Sequence, residues 1–208
     1  GPEGNAVAPE GDYPVHFGPD ENCAWSIDLG GEGASTPIVW EGAVFVTATV
    51  DGQDALTCYD LADGSQRWQV KFASARESKH QAATASNPTS VTDGERVVSY
   101  FKSGLVACCD LKGNKLWTVN LQEKYGKDTL WWDLGTSPVL TSKGVLIAVM
   151  QAGKSYLVTL DLASGEVVWK QDRQYKTAEE SDQSYTTPAV TMIDGVETIV
   201  TWGADHLT

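Results

Sequence analysis

Proline and tryptophan return along this chain at an interval near 50 residues. The dipeptides Thr36-Pro37, Asn87-Pro88, Ser137-Pro138 and Thr187-Pro188 set prolines 51, 50 and 50 positions apart. Trp25, Trp68, Trp117 and Trp169 mark the same cycle at 43, 49 and 52. Two markers sharing a period of this size signal a fold made of one repeated supersecondary unit, which no single globular core explains.

Within each cycle the order is constant: proline, a short apolar run, a glycine turn, a second run, another turn, a third run ending in Asp, a glycine turn, then Trp. The first unit reads "PIVW", Glu41-Gly42, "AVFVTATV", Asp51-Gly52, "ALTCYDL", Asp63-Gly64 and "QRWQVKF". Four strands in about 50 residues is the content of one propeller blade. The reading is therefore an all-β propeller of four-stranded antiparallel blades over 22–208, with about four blades present. Residues 1–21, rich in Gly, Pro and acids, are expected to form an extended N-terminal segment. Units two and three repeat the turns with Asp93-Gly94 and Gly113, then Lys143-Gly144 and Gly165; unit four opens with Asp194-Gly195. Asp-Gly pairs suit the positive φ of hairpin turns, and Pro is tolerated where a strand begins.

The spacing of Asp60, Gly64 and Trp68 recurs as Asp110, Gly113 and Trp117 and as Asp161, Gly165 and Trp169, with unit two one residue shorter. It predicts that each indole lands on the same face of an outer strand and docks between neighbouring blades, its N–H satisfied there. The Asp side chains are expected to receive donors across that junction. "NCAWSIDL" near the N-terminus reads as a Trp-bearing fourth strand with no preceding three. Unit four, conversely, reaches only "TWGADHLT".

Charge narrows the functions. With 15 Lys and Arg against 28 Asp and Glu, the formal net charge of −13 repels nucleic acid and anionic lipid. No apolar run is long enough for a membrane span. The first residues lack the basic-then-apolar layout of a signal peptide, so the chain is read either as cytosolic or as having lost a leader. Cys23, Cys58, Cys108 and Cys109 have no metal-ligand spacing, and His16, His80 and His206 stand in unrelated contexts.

The D-x-x-x-G-x-x-x-W device, with its "TP" strand starts and "DG" hairpins, resembles the tryptophan-docking repeat of the quinoprotein-type (PQQ-like) β-propellers. The stretch "GPEGNAVAPEGDYPVHFGPDENCAWSIDLGGEGASTPIVWEGAVFVT" is similar to the start of a secreted or periplasmic bacterial subgroup. Kelch repeats share the length, but their Gly-Gly doublet occurs here only at Gly30-Gly31. The resemblance implies a ring of seven or eight blades, so the chain is read as a fragment, as a half-ring that self-associates with a second copy, or, least in keeping with the family, as a four-bladed ring closed by its own N-terminal strand.

Two functions follow as expectations. The first is a non-catalytic scaffold, periplasmic or secreted, binding a protein or a polysaccharide-like ligand through its channel-face loops, without cofactor. The alternative is part of a PQQ-dependent alcohol or sugar dehydrogenase, with PQQ and calcium. Loops joining outer to inner strands are the longest, and Lys79, His80, Trp131, Trp132, Asp133, Asp182 and Tyr185 lie in them, shortly before an inner strand. They are candidate ligand-binding residues; Trp131 and Trp132 could equally fill space between blades. No catalytic or metal-binding residue is assigned. Quinoprotein dehydrogenases have a disulfide between adjacent cysteines, but "VACCDL" aligns with "LTCYDL" and "LVTLDL", so Cys108 and Cys109 read as ordinary third-strand positions.

Overall fold

The computed structural model describes residues 10–178 and 181–208. Three complete antiparallel sheets follow one another, each in chain order. The first comprises β1 (Ile38–Trp40), β2 (Ala43–Val50), β3 (Gln53–Asp60) and β4 (Gln66–Ser74). The second comprises β5 (Val91–Thr92), β6 (Arg96–Tyr100), β7 (Leu105–Asp110) and β8 (Lys115–Asn120), followed by a five-residue helix α1 (Leu121–Tyr125) capped by the Asn120 side chain. The third comprises β9 (Val139–Thr141), β10 (Gly144–Val149), β11 (Tyr156–Leu160) and β12 (Val167–Asp172). The fourth unit supplies two hairpins, β13 (Ala189–Ile193) with β14 (Val196–Val200), and β15 (Trp202–Gly203) with β16 (His206–Leu207). The all-β, four-stranded repeat thus holds, with α1 as an element that the strand pattern hides.

Middle strands are buried on both faces: sheet two packs between sheets one and three, and the other face of sheet one is covered by Trp25, Ile27 and Leu29. Phe45, Leu56, Cys58, Val97 and Cys109 fill the space between sheets one and two. Val98, Val106, Cys108, Trp117, Ile147 and Val158 fill that between sheets two and three. Cys108 and Cys109 therefore point into different cores, as neighbours on a strand must. Both are free thiols, as is Cys58, and burial pushes them up to about 12 and about 11 respectively.

The indoles cross the junctions with one geometry. Trp25 Nε1 donates to the Leu61 carbonyl at 2.8 Å, Trp68 to Leu111 at 3.0 Å and Trp117 to Leu162 at 2.9 Å. The ring lies over the glycine of the neighbouring turn: a Cβ added at Gly64, Gly113 or Gly165 would stand 2.7, 2.8 or 2.6 Å from Trp25, Trp68 or Trp117. These glycines have φ of +73°, +86° and +73°, so turn conformation and indole contact select the same residue.

Three expectations are corrected. The Asp side chains do not reach across the junction. Asp60 accepts from Ala62 N and Arg67, Asp110 from Lys112 N and Asn114, and Asp161 from Ala163 N and Ser164, all within their own hairpins. A short carboxylate bonds its own turn before it can span two sheets. Residues 23–29 are not a strand: Trp25, Ile27 and Leu29 pack on Val44, Val46 and Tyr59 of sheet one, and among the described residues no strand pairs with them in a ladder. Finally, Asn87-Pro88 is displaced. Thr36, Thr89, Ser137 and Thr187 each stand two residues before an inner strand, and their backbone amides and hydroxyls form a relay around the axis: Thr36 N to Thr89 Oγ1 at 3.0 Å, Thr89 N to Ser137 Oγ at 2.9 Å, Ser137 N to Thr187 Oγ1 at 3.0 Å. Pro88 sits two positions ahead of the place Pro37 and Pro138 occupy.

Candidate functional site

The connectors 75–90, 126–138 and 173–188, all on one end of the sheets, build the candidate site. Its anchor is Asp133, 6% exposed. The carboxylate accepts the backbone amides of Lys79, at 2.9 Å to each oxygen, and of His80, at 2.9 Å, together with the Lys102 ammonium. Burial would raise the Asp133 carboxyl, but Lys102 and the two amides outweigh it and hold it below the usual carboxylate range. Lys102 is 2% exposed and also donates to the Glu77 carbonyl at 2.6 Å; the Lys79 ammonium donates to the Leu130 carbonyl. Such a buried pair is tolerable because further hydrogen bonds surround it: both Asp133 oxygens accept backbone amides, and Lys102 also meets the Glu77 carbonyl. It clamps the first connector to the second.

A second network clamps the second connector to the third. The Trp132 amide donates to Tyr185 Oη at 3.0 Å, and Tyr185 Oη donates to Gln183 Oε1 at 3.1 Å. Gln183 Oε1 also accepts the Trp131 amide at 2.5 Å. The backbone beneath both tryptophans is thereby fixed, while their rings stay 51% and 48% exposed. His80, exposed, stands edge-on to Trp132 with ring centroids 5.6 Å apart. The result is a rigid aromatic step facing solvent.

Of the residues read from sequence, Lys79, His80, Trp131, Trp132, Asp133 and Tyr185 gather here. Asp182 adjoins Gln183 on the third connector, and its Oδ1 is buried with no hydrogen-bond partner among the described residues. Sequence reasoning missed Lys102 and Gln183. Lys102 sits in the β6–β7 turn, where a lysine ordinarily reads as solvated; Gln183 lies in a polar run without period. Arg173, also missed, is 5% exposed, and its Nη2 donates to the carbonyls of Gly203 and His206 at 3.0 and 2.9 Å, tying β15–β16 to the third sheet.

Asp133 has its oxygens committed to three donors. Among the described residues, no three Asp, Glu, His or Cys side chains converge where an ion could sit.

Repeated four-stranded sheets joined by indole-on-glycine contacts define a PQQ-like β-propeller. The chain belongs to the family of the outer membrane protein assembly factor BamB, whose pattern matches residues 18–191. A BamB from Yersinia pestis is 24% identical over 155 residues, 74% of this chain and 37% of the relative. The chain therefore spans little over a third of that protein's length. Among solved structures, BamB from Moraxella catarrhalis aligns with a TM-score of 0.55 and 20% identity, over 84% of this chain and 48% of that one. A europium-containing methanol dehydrogenase aligns at 0.57 and 18% identity, over 76% and 28%. The quinohemoprotein alcohol dehydrogenase of Comamonas testosteroni aligns at 0.56 and 19%, over 73% and 23%. At these identities the likeness is one of fold, shared by scaffolds and enzymes alike.

Proposed function

We propose that this chain is part of a non-catalytic, periplasmic or secreted propeller scaffold that docks a protein partner through the Trp131–Trp132–His80 step. The observation that carries the reading is the pairing of half-exposed indoles with a backbone held by Gln183 and Tyr185. Rigid aromatic anchors are what interface hot spots use, since little side-chain entropy is lost when they are covered. That the matched family is named for an outer membrane protein assembly factor supports a protein as the occupant. The net charge of −13 favours a partner with a basic rim around its contact patch.

The test places a photo-crosslinking amino acid at Glu77 or Lys127, on the connectors that carry the step, in full-length protein in its native cell. One partner band is expected, lost when Trp131→Ala and Trp132→Ala are introduced while the melting temperature holds. Unchanged crosslinking in that double variant overturns the reading, and retention on an immobilised polysaccharide instead of a protein reassigns the ligand. The dehydrogenase alternative is checked by adding PQQ and calcium to the same protein: dye reduction with alcohols or sugars would establish it.

A further inference from the structure

One buried acid lies outside the aromatic step and is used by none of the networks above. Asp54, at the start of β3, is 0% exposed. Its Oδ2 accepts the Ser103 hydroxyl at 2.5 Å, a bond from sheet one to the β6–β7 turn of sheet two. Its Oδ1 has no partner among the described residues. Thr49, the residue directly opposite on β2, also has a buried hydroxyl oxygen with no partner there. A fully buried carboxylate holding one hydrogen bond and one bare oxygen is poorly solvated as an anion.

The surrounding charges do not relieve it. On β2–β3 and β4, Asp51 pairs with Lys71; on the connector, Arg76 pairs with Asp128. On the turn itself, Lys102 is taken by Asp133 and the Glu77 carbonyl, and Lys115 of β8 by the Lys71 carbonyl. Glu32 and Glu77 line the open groove of about 380 Å³ that Thr49 also lines. None of these moves the Asp54 carboxyl: burial pushes it up to about 6, and the Ser103 hydroxyl pulls part of the way back.

We propose that Asp54 is a proton-operated latch between sheets one and two, setting the β6–β7 turn and, through Lys102, the Asp133 clamp under the aromatic step. The path is short and covalent where it matters. Ser103 Oγ holds Asp54 and accepts the Leu105 amide at 3.3 Å; Lys102 is the adjoining residue and carries the ammonium that Asp133 needs. With Asp54 protonated the junction is neutral and closed. When the proton leaves, a buried anion faces a bare Thr49 hydroxyl, and hydration favours opening the turn toward the groove. The inference rests on the step being the working surface for its purpose, yet the coupling itself is measurable with no partner present.

The experiment is an NMR titration of the whole protein from pH 4.5 to 8, following the Asp54 carboxyl carbon and the backbone amides of Ser103, Lys79 and His80. It is done in a His80→Gln background, so that the signal at position 80 is the glutamine amide and no imidazole adjoins it. One shared midpoint near 6 is expected for all four signals. Asp54→Asn should remove the step from the three amides. Ser103→Ala, which deletes the bond that lowers the carboxyl, should move the midpoint upward. A carboxyl already ionised at pH 4.5 overturns the proposal, as do amide steps that persist in Asp54→Asn. Because no ligand enters the assay, a failed partner search leaves this outcome unaffected.

Discussion

If the turn glycines exist to admit an indole, a methyl group there should cost far more than the backbone alone explains. Gly165 and Gly52 make the comparison clean, with φ of +73° and +71°. An alanine at either pays the left-handed conformation, about 1–2 kcal/mol. At Gly52 nothing lies within 4 Å of the added methyl, whereas at Gly165 it would stand 2.6 Å from Trp117 Cε3 and 2.7 Å from Cδ2. The indole must retreat by roughly an ångström, and Trp117 Nε1 then leaves the Leu162 carbonyl, now 2.9 Å away. Stranding that buried donor and acceptor costs about 1–3 kcal/mol, and the loosened ring, 9% exposed among Val98, Val145 and Leu160, loses packing on top. Gly165→Ala should therefore destabilise by about 3–5 kcal/mol and Gly52→Ala by about 1–2. Urea unfolding of both variants, followed by circular dichroism, reads the difference. Equal losses would show that the glycine serves the turn alone and that the indole contact is incidental.

Four further outcomes are expected. Asp133→Ala leaves the Lys102 ammonium buried without its anion and should cost about 3–5 kcal/mol, while Lys102→Met with Asp133→Leu should recover most of it; urea midpoints decide, and equal losses would deny the clamp. Since Asp133 is held below the usual carboxylate range, its contribution is complete above about pH 4 and fades as pH falls through the lowered value, so wild type should acid-unfold more steeply than the double variant. A thiol reagent at pH 8 should label exposed Cys23 quickly, and Cys58, Cys108 and Cys109 only after unfolding; prompt labelling of four thiols contradicts the packing. Self-association is expected through the fourth unit, where Met192, Ile193 and Val196 are exposed; sedimentation showing a monomer throughout the micromolar range would refute it.

The fold was legible because each sheet repeats its demands. Hairpins need glycine or Asx, the buried middle strands need continuous apolar runs such as "AVFVTATV", and each junction needs one indole at a fixed remove from one glycine. These are local rules, and periodicity amplifies them. What misled was chemistry that can be satisfied in more than one place. Proline marks a strand start loosely, so Pro88 kept the 50-residue count while Thr89 held the structural position. An Asp before a turn is read as easily across a junction as within its hairpin, and the nearer donors take it.

The aromatic step shows the opposite limit. Trp131, Trp132 and His80 were visible as long-loop residues because aromatic side chains in polar loops stand out. The groups that make them a surface were not. Lys102 lies 31 residues from Asp133 and Gln183 lies 52 from Trp131, on different units and without period. Their roles arise only when three connectors reach the same end of adjacent sheets. A scaffold of this kind separates its two jobs: the repeat fixes where the connectors emerge, and buried polar bonds, each costly to leave unmade, fix their shape. Divergence in the connectors can then alter what is bound without touching a single indole or turn glycine. On the proposed reading, the step's partner is written in the least periodic part of the chain, and Lys102 and Asp133 are where a change of partner and a loss of stability would be hardest to tell apart without measuring both.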